Sequence, residues 1–299
     1  MTKGAEKIVN STYQQENMPE NAPVTNGLCT CQNSNKPTVS LLVSTYNWKE
    51  ALALCLRSAF SQTVKPDEIV IADDGSREDT RELIENMKKK TDIPVVHVWH
   101  EDKGFRKTNI LNKAIKKISS EYIIQIDGDI VMDKNFISDH LELVEEGYFV
   151  CGSRVGLSPM ITNQFFRNTQ YHPYMFQLGL MYMFNSIRSR VIRRYLEKRY
   201  FPKNIQRLRG CNMAFWKEDL LRVNGYNEDM NGWGQEDTEI AYRLVHAGVK
   251  KKFLKGGGIE YHLYHKPASK ENLTHHNEIL QEVIDKKIAW CKNGIVKQD

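Results

Sequence analysis

The stretch EYIIQIDGDIVM, residues 121–132, combines an apolar run with two closely spaced acids. The apolar run at 122–124 is typical of a buried strand. Asp127 and Asp129 follow where that strand leaves the core, and the glycine between them leaves room for a ligand. Adjacent carboxylates repel each other unless a cation or a proton joins them, and their oxygens suit Mg²⁺ or Mn²⁺. By itself the stretch fits a metal site and a polar turn equally well, because Asp and Gly are also common turn formers.

Strands and helices alternate along the chain before this stretch. The sequence predicts strands at 38–44, 68–72 and 95–98, and helices at 49–62, 79–90 and 107–118. Such alternation predicts an α/β architecture with a mostly parallel sheet flanked by helices. Tyr46, Asp74 and the Asp127/Asp129 pair each follow a strand, so they would meet at the carboxyl edge of the sheet, where ligands of such folds bind. This convergence favours a ligand site over a turn.

Glycine patterns of two nucleotide-binding classes are missing. Residues 45–48 follow the first strand without a glycine, whereas a dinucleotide-binding dehydrogenase needs GxGxxG there. The chain also lacks GxxxxGK[ST], the phosphate-binding loop of P-loop enzymes. We therefore expect neither class. Nucleic acid is not an expected partner, because the basic residues concentrate in one segment and no RNA- or DNA-binding motif accompanies them.

Composition separates the start of the chain from the rest. Residues 1–36 are rich in Asn, Gln, Glu, Thr and Pro and poor in large apolar side chains, so we expect a disordered or loosely docked tail. The whole chain has 299 residues, 40% of them hydrophobic, and six scattered cysteines, which favours a reducing compartment. No secretory signal or bilayer-length apolar run is found. We expect a cytoplasmic protein, with peripheral contact to the inner face of the cell membrane as an option.

Residues 157–209 form an apolar and basic insertion. Met, Phe, Leu and Tyr crowd residues 174–187. Residues 186–209 hold seven arginines and two lysines against one acid, a local net charge of +8 in a chain of +5. An apolar segment beside an arginine-rich one fits contact of residues 174–209 with an anionic membrane surface or a lipid-linked acceptor. A helix packed on the sheet with a solvated basic face, or a contact between subunits, fits the same pattern.

A second dense group of polar residues lies at 231–239, in NGWGQEDTE. Two glycines flank Trp233, which predicts a mobile loop carrying an aromatic ring that could bind a sugar. The acids after it precede a helix, where the helix dipole also favours acids. Further along, His262 and His265 offer two imidazoles, a common ligand type for Mn²⁺-like metals, although either could be an ordinary surface residue.

Together these motifs resemble the family 2 glycosyltransferases of the GT-A fold, over about residues 37–267. The signatures are VSTYN at 43–47, ADDGS at 72–76, DGD at 127–129 and WGQEDTE at 233–239. The fragment GFRKTNILNKA at 104–114 is similar to a donor-binding segment of the same enzymes. The later part, GYNEDMNGWGQEDTEIAYRL followed by EYHLYHK, also resembles the C-terminal portion of β-1,4-galactosyltransferases and of bacterial chondroitin polymerases.

The resemblance implies roles for individual residues on the donor side. Tyr46 would line the uracil pocket, and Asp74 would hydrogen-bond the base. Asp127 would contact the ribose or the donor sugar. The donor-binding segment adds three candidates, Phe105, Arg106 and Lys107.

The resemblance also implies a metal ion, Mn²⁺ or Mg²⁺, that bridges the diphosphate of the donor. Asp129 would ligate this ion, and His262 would complete its protein ligands. His265 is the alternative ligand, because the spacing to the residues after it differs slightly from that of the polymerases.

The acceptor side would come from the end of the chain. Trp233 would close over donor and acceptor, Glu236 would bind the acceptor, and Asp237 would be the catalytic base. Accordingly, residues 37–156 would form the donor-binding half of the GT-A domain. Residues 210–299 would form the acceptor-binding and catalytic half with a C-terminal helix.

The implied activity is a metal-dependent, inverting transfer of a sugar from a UDP-sugar to a saccharide or lipid-linked acceptor. The expected pathway is synthesis of a bacterial surface polysaccharide or lipopolysaccharide. Such a transfer must neutralise the leaving diphosphate and remove the proton of the acceptor hydroxyl, and a carboxylate on a separate loop suits the second task. Two alternatives are a nucleotide-sugar-binding protein without turnover and a nucleotidyltransferase, although the latter normally has a glycine-rich, basic loop after the first strand.

Overall fold

The computed structural model describes residues 36–168, 173–200, 204–206 and 208–297. All but the last residue of the expected tail, 1–36, lies outside the described residues. The strands of the described part are β1 (Val39–Thr45), β2 (Glu68–Asp73), β3 (Val95–Trp99), β4 (Tyr122–Asp127), β5 (Ile130–Met132), β6 (Tyr148–Gly152), β7 (Val155–Gly156), β8 (Met213–Trp216), β9 (Lys250–Leu254) and β10 (Glu260–His262). The helices are α1 (Lys49–Phe60), α2 (Glu78–Lys88), α3 (Lys107–Lys117), α4 (Phe136–Leu141), α5 (Pro159–Arg167), α6 (Leu180–Met183), α7 (Arg190–Leu196), α8 (Lys217–Arg222), α9 (Glu236–His246) and α10 (Leu273–Asp285).

Seven of these strands form one mixed sheet in the order β3-β2-β1-β4-β8-β6-β9. Neighbouring strands are parallel except β8, which runs antiparallel to both β4 and β6. In the parallel part, Ser44 of β1 pairs with Ala72 of β2 and with Asp127 of β4. Strand ends that carry polar residues therefore lie side by side, and the predicted, mostly parallel α/β sheet is confirmed.

Both faces of the sheet are covered by helices. All seven residues of β1 are buried, and their side chains alternate between two hydrophobic clusters. Leu41 and Val43 pack with Leu52 and Leu56 of α1, whereas Leu42 faces the cluster on the side of α3. A strand buried on both faces has a continuous apolar run instead of alternation, which explains why β1 and β4 were visible in the sequence.

A second, three-stranded sheet has the order β5-β10-β7. β10 runs antiparallel to β5, with His262 opposite Ile130, and the N–H of Leu263 donates to the carbonyl of Asp129 at 3.0 Å. This pairing brings a strand from the end of the chain directly beside the DGD stretch. The small sheet thus joins parts of the sequence that lie more than a hundred residues apart.

Helix α9 is fixed in the core by one buried ion pair. Arg243 donates to both carboxylate oxygens of Glu239, at 2.8 and 2.7 Å, and to the carbonyls of Val223 and Gly225. Removal of one partner of a buried pair leaves an uncompensated charge and costs about 3–5 kcal/mol. The first turn of α9, which holds the ED motif, is therefore held by an anchor one turn further along the helix.

The basic insertion packs on the body of the protein through ion pairs. Arg193 of α7 is 1% exposed and pairs with Asp139 of α4, which also accepts hydrogen bonds from Arg188. Arg190 pairs with Glu142, and Lys198, further along the same segment, pairs with Glu145. Several large apolar side chains of the segment stay exposed, namely Tyr174, Phe176, Leu180, Phe184, Val191 and Tyr195. Among the described residues, no helix has both the length and the apolar character needed to cross a bilayer.

Candidate active site

Asp127 is held at the end of β4 by two neighbours. Lys107 Nζ lies 2.7 Å from its Oδ1, and the hydroxyl of Ser44 donates to the same atom at 2.7 Å. Burial alone would raise the pKa of Asp127, but the charge of Lys107 and the two hydrogen bonds outweigh it and lower that pKa. Asp127 is therefore a preformed anion, and sequence reasoning missed the contribution of Ser44 although it lies in the VSTYN signature.

Gly128 is required by the close approach of β1 to this turn. Its N–H donates to the carbonyl of Ser44 at 2.7 Å. A Cβ at this position would lie 3.0 Å from that carbonyl oxygen and 3.1 Å from Cβ of Thr45. Packing against β1 therefore favours a glycine as the middle residue of the DGD stretch.

Asp129, His262 and His265 form a cluster in which one ligand atom from each residue lies within 4.8 Å of the others. Asp129 Oδ2 is 3.6 Å from Nε2 of His262 and 3.2 Å from Nε2 of His265. Neighbouring ligands of an octahedral ion of the size of Mg²⁺ are roughly 3 Å apart, so these separations fit a divalent cation. The sequence offered the two histidines as alternatives, and the structure brings both of them to Asp129.

The polar atoms of this cluster also fit a metal. Asp129 Oδ1 is buried and has no hydrogen-bond partner, which leaves a carboxylate oxygen available as a ligand. Burial lowers the pKa of His262 and so favours the neutral imidazole that a metal needs. The hydrogen bond to Asp129 raises the pKa of His265 in the metal-free protein. One carboxylate and two imidazoles suit Mn²⁺ and related ions better than Ca²⁺.

The expected nucleobase residues lie at the ends of β1 and β2. Tyr46 is half exposed, and its hydroxyl donates to Asp102 at 2.9 Å. Asp74 is buried, with His100 Nε2 2.6 Å from Oδ1 and the backbone N–H of Arg106 2.8 Å from Oδ2. Burial raises the pKa of Asp74, while these two contacts counteract the rise. Each carboxylate oxygen still has a free lone pair. Asp74 can therefore position the donor-binding segment and also accept a hydrogen bond from the nucleobase of a donor.

The donor-binding segment reaches from this pocket to the acids. Phe105 is 42% exposed, and the Arg106 guanidinium donates to the carbonyl of Glu101 at 2.5 Å. Lys107 begins α3 and extends to Asp127. His100 is a further contributor that the sequence did not reveal, because its partner Asp74 lies 26 residues away.

Glu236 lies on the other side of Lys107. Its Oε1 is 3.8 Å from Lys107 Nζ, so a single ammonium group stands between the carboxylates of Asp127 and Glu236. Burial, reinforced by the neighbouring charge of Asp237, raises the pKa of Glu236 to about 7. The structure thereby joins the expected donor and acceptor residues, which lie about a hundred residues apart in the sequence.

Asp237 is the second residue of α9 and is held by backbone groups. Oδ2 accepts from the N–H of Gly210 at 2.8 Å, and Oδ1 accepts from the N–H of Thr238 at 2.7 Å. Gly210 precedes β8, which pairs with β4, so the position of Asp237 is tied to the strand that carries the DGD stretch. This arrangement suits a base that must be oriented relative to a bound donor.

Trp233 lies 43% exposed in a loop whose two glycines have left-handed backbone angles, φ +102° for Gly232 and +113° for Gly234. The N–H of Gly232 donates to the carbonyl of Phe105 at 3.0 Å. Residues with a side chain rarely adopt these angles, which explains the glycines on either side of the tryptophan. The loop is connected to the donor-binding segment on one side and continues into α9 on the other.

The motifs and the fold agree with a family match. The family model for glycosyl transferase family 2 matches residues 40–222, which is more than half of the chain. The chain belongs to glycosyl transferase family 2. A second family model, described as the N-terminal domain of galactosyltransferase, matches residues 190–266. The predicted family is confirmed, and with it the prediction that the chain is a glycosyltransferase.

Relatives with curated descriptions include polysaccharide synthases. The chain is 25% identical to a chondroitin synthase of Escherichia coli over 260 residues, which cover 79% of this chain and 36% of that protein. It is also 25% identical to a validoxylamine A glucosyltransferase of Streptomyces hygroscopicus subsp. limoneus, over 72% of this chain and 49% of that protein. The chain thus spans between about a third and half of the length of these relatives.

Solved structures with a similar fold include S. aureus TarS 1-349 in complex with UDP, with a TM-score of 0.55 and 16% identity over 81% of this chain and 64% of that chain. A mannosyltransferase from Pyrobaculum calidifontis in complex with GDP-Man and Mn²⁺ has a TM-score of 0.54 and 18% identity, over 78% of this chain and 59% of that chain. At these identities the likeness concerns the fold, and it confirms the predicted GT-A architecture.

Proposed function

We propose that the protein transfers a sugar from a UDP-sugar to a hydroxyl of a saccharide acceptor, with inversion at the anomeric carbon and with the help of a divalent metal ion. The observation that carries this proposal is the meeting of two carboxylates from distant segments at Lys107. Asp127 lies 2.7 Å and Glu236 3.8 Å from its ammonium group. A donor held by the Asp127 side and an acceptor held by the Glu236 side would be in contact there.

The metal site has a defined task in such a reaction. Asp129, His262 and His265 would hold the ion, which when bound supplies Lewis-acid stabilisation of the leaving diphosphate. The pairing of β10 with β5 presents the two histidines to Asp129. The protein then has to hold the acceptor and remove its proton.

Deprotonation falls to Asp237 in this proposal. Its carboxylate is oriented by the N–H groups of Gly210 and Thr238, and it belongs to a different segment from the metal-site residues. A base on a separate segment can approach the acceptor hydroxyl from the face opposite the leaving group. In-line attack then gives inversion, so an α-linked donor yields a β-linked product.

The proposed classes of donor and acceptor are inferred from the relatives and from the exposed surface of the protein. TarS is found in complex with UDP, and one relative is by name a chondroitin synthase, which makes a polysaccharide. We therefore propose a UDP-sugar donor and a growing bacterial surface saccharide, or a lipid-linked form of it, as acceptor. A cytoplasmic location with peripheral contact to the membrane fits this proposal, and the exposed apolar side chains of residues 174–195 would make the contact.

A donor screen tests the proposal most directly. UDP release is measured with a panel of UDP-sugars and Mn²⁺, with and without short oligosaccharide acceptors. Acceptor-stimulated release with one donor, lost on addition of EDTA, is the expected result. Tight Mn²⁺-dependent binding of UDP without release from any donor would favour a nucleotide-sugar-binding protein without turnover instead.

A further inference from the structure

Helix α10 packs against the loop 231–235 that carries Trp233. His276 on this helix is fully buried. Its Nδ1 lies 2.7 Å from the carbonyl oxygen of Gly234, and its Nε2 lies 3.0 Å from the carbonyl oxygen of Asn231. One side chain thus contacts the loop on both sides of the tryptophan.

Both partners of His276 are carbonyl oxygens, which only accept hydrogen bonds, so a hydrogen bond to either of them needs an N–H on the ring. A neutral imidazole carries one N–H and donates to one carbonyl, whereas a cationic ring donates to both. Asn272, the residue that precedes α10, also donates to the carbonyl of Asn231 at 2.7 Å. In addition, Gln235 donates to the side chain of Asn277 at 3.0 Å. The start of α10 therefore supplies several partners to a loop of five residues.

The loop backbone runs close to the side chains at the start of α10. A Cβ on Gly232 would lie 2.8 Å from Nδ2 of Asn272, and a Cβ on Gly234 would lie 3.0 Å from Cδ1 of Leu273. Both glycines also need positive φ angles. Close packing together with the hydrogen bonds determines where the backbone of the loop runs, and so the direction in which Trp233 points.

The loop connects the two halves of the site. On the donor side, the N–H of Gly232 donates to the carbonyl of Phe105 at 3.0 Å. At its other end, the loop continues into the first turn of α9, which holds Glu236 and Asp237. A shift of the loop would move the acceptor residues relative to the donor pocket, while the metal cluster of Asp129, His262 and His265 would stay in place.

We propose that His276 is a positioning residue, which holds the loop 231–235 in the conformation that presents Trp233, Glu236 and Asp237 to the acceptor. The proposal rests on the proposed function, since it concerns the acceptor side of that reaction. His276 acts through the loop carbonyls and needs no contact with substrate. Its loss should therefore affect acceptor kinetics and leave donor binding intact.

Three substitutions separate the two hydrogen bonds. His276→Leu removes both of them, whereas His276→Asn keeps an N–H donor near the position of Nδ1 and His276→Gln keeps one near Nε2. The neighbouring His275, whose side chain is 63% exposed on the same helix, gives the matched control His275→Leu. Each variant is assayed for the kcat and KM of acceptor and donor, for Mn²⁺-dependent UDP binding, and for hydrogen exchange of the loop amides.

We expect His276→Leu to lower kcat/KM for the acceptor roughly tenfold, the scale of one to two net hydrogen bonds. His276→Asn and His276→Gln should each restore part of the loss. UDP affinity should equal that of the wild type in all three, and the N–H of Gly232 should exchange faster in His276→Leu. His275→Leu should match the wild type in every measurement.

Two results would overturn the positioning role. One is wild-type acceptor kinetics and loop exchange in His276→Leu; the other is a parallel fall of UDP affinity and acceptor kinetics, which indicates a general loss of structure. Absence of sugar transfer by the wild type would refute the proposed function. Hydrogen exchange of the loop amides alone would then test whether His276 holds the loop. Faster exchange in His276→Leu supports it, and unchanged exchange refutes it.

Discussion

Asp237 is oriented by backbone N–H groups at 2.8 and 2.7 Å, and this makes it a precise target for substitution. Asp237→Asn keeps the size of the side chain, but an amide does not take the proton of the acceptor hydroxyl. We expect it to lose at least about two orders of magnitude in kcat, the usual contribution of a general base. Mn²⁺-dependent UDP binding, measured by calorimetry, should be unchanged. Turnover close to that of the wild type would show that another group is the base.

The two histidines near Asp129 provide a second test at the scale of single residues. Because His262 and His265 both lie within 3.6 Å of Asp129 Oδ2, we expect each of them to ligate the metal. Asp129→Ala, His262→Ala and His265→Ala should each weaken Mn²⁺-dependent UDP binding, by about tenfold or more for a lost ligand or its partner. His275→Ala, which changes an exposed histidine outside the cluster, is the control. Unchanged binding in His265→Ala would leave His262 as the sole imidazole ligand.

How far single residues could be predicted depended on whether their partners were visible in the sequence. Asp127, Asp129 and Asp237 stood out because strand ends and a helix start collect polar groups. His276 did not, since its partners are carbonyl groups 42 and 45 residues away. His100 likewise reaches Asp74 only after β2 and β3 have paired. Residues that orient others carry no local signal, because their partners come together only in the folded chain.

Burial in the first turn of α9 makes the charged form of Glu236 unfavourable. The folded chain holds the pKa of Glu236 at about 7, whereas the ordinary value is 4.5. Between these values the folded state keeps a proton that the unfolded chain has lost, so stability falls as the pH rises through this window. The full effect of such a difference is about 3 kcal/mol.

Glu236→Gln should remove this pH dependence, because the amide does not titrate. We expect the free energy of unfolding of the variant, relative to the wild type, to rise by roughly 2 to 3 kcal/mol between pH 5 and pH 8. Urea denaturation of the metal-free protein at both pH values measures this change. Glu278→Gln is the control, since the side chain of Glu278 is 72% exposed. A difference that does not depend on pH would contradict the raised pKa.

At the scale of elements, the sequence predicted the strands that are buried on both faces. The run GCNMAF at 210–215 also predicts a short strand, but β8 begins only at Met213. The residues before it are used in loop contacts: Gly210 donates to Asp237, and the Asn212 side chain donates to Ser153 and Gly258 carbonyls. Apolar runs predict where a strand passes through the core, but hydrogen bonds to distant segments decide where it begins.

At the scale of the whole molecule, the charge count of residues 186–209 overstated the free positive charge. Arg188 and Arg193 both pair with Asp139, and Lys198 pairs with Glu145 at 2.9 Å. Asp139 and Glu145 lie more than 40 residues before these basic residues, and no motif links the two segments. Ion pairing thus neutralises part of the basic charge, while large apolar side chains such as Phe176 and Leu180 remain 79% exposed.

Membrane contact through this insertion should therefore depend on its apolar side chains more than on its arginines. We expect substitution of Phe176, Leu180 and Phe184 together by Ser to weaken binding to phosphatidylglycerol-containing vesicles by at least about tenfold, because each large apolar side chain contributes about 1.5–3 kcal/mol when buried. Val296→Ser, at another exposed apolar position, is the control. Arg193→Gln should instead lower the stability of the fold by about 1.5–3 kcal/mol, since Asp139 loses its buried charged partner and keeps the pair with Arg188. Vesicle co-sedimentation and urea denaturation separate the two effects, and vesicle binding of the triple variant equal to that of the wild type would rule out this surface as the membrane contact.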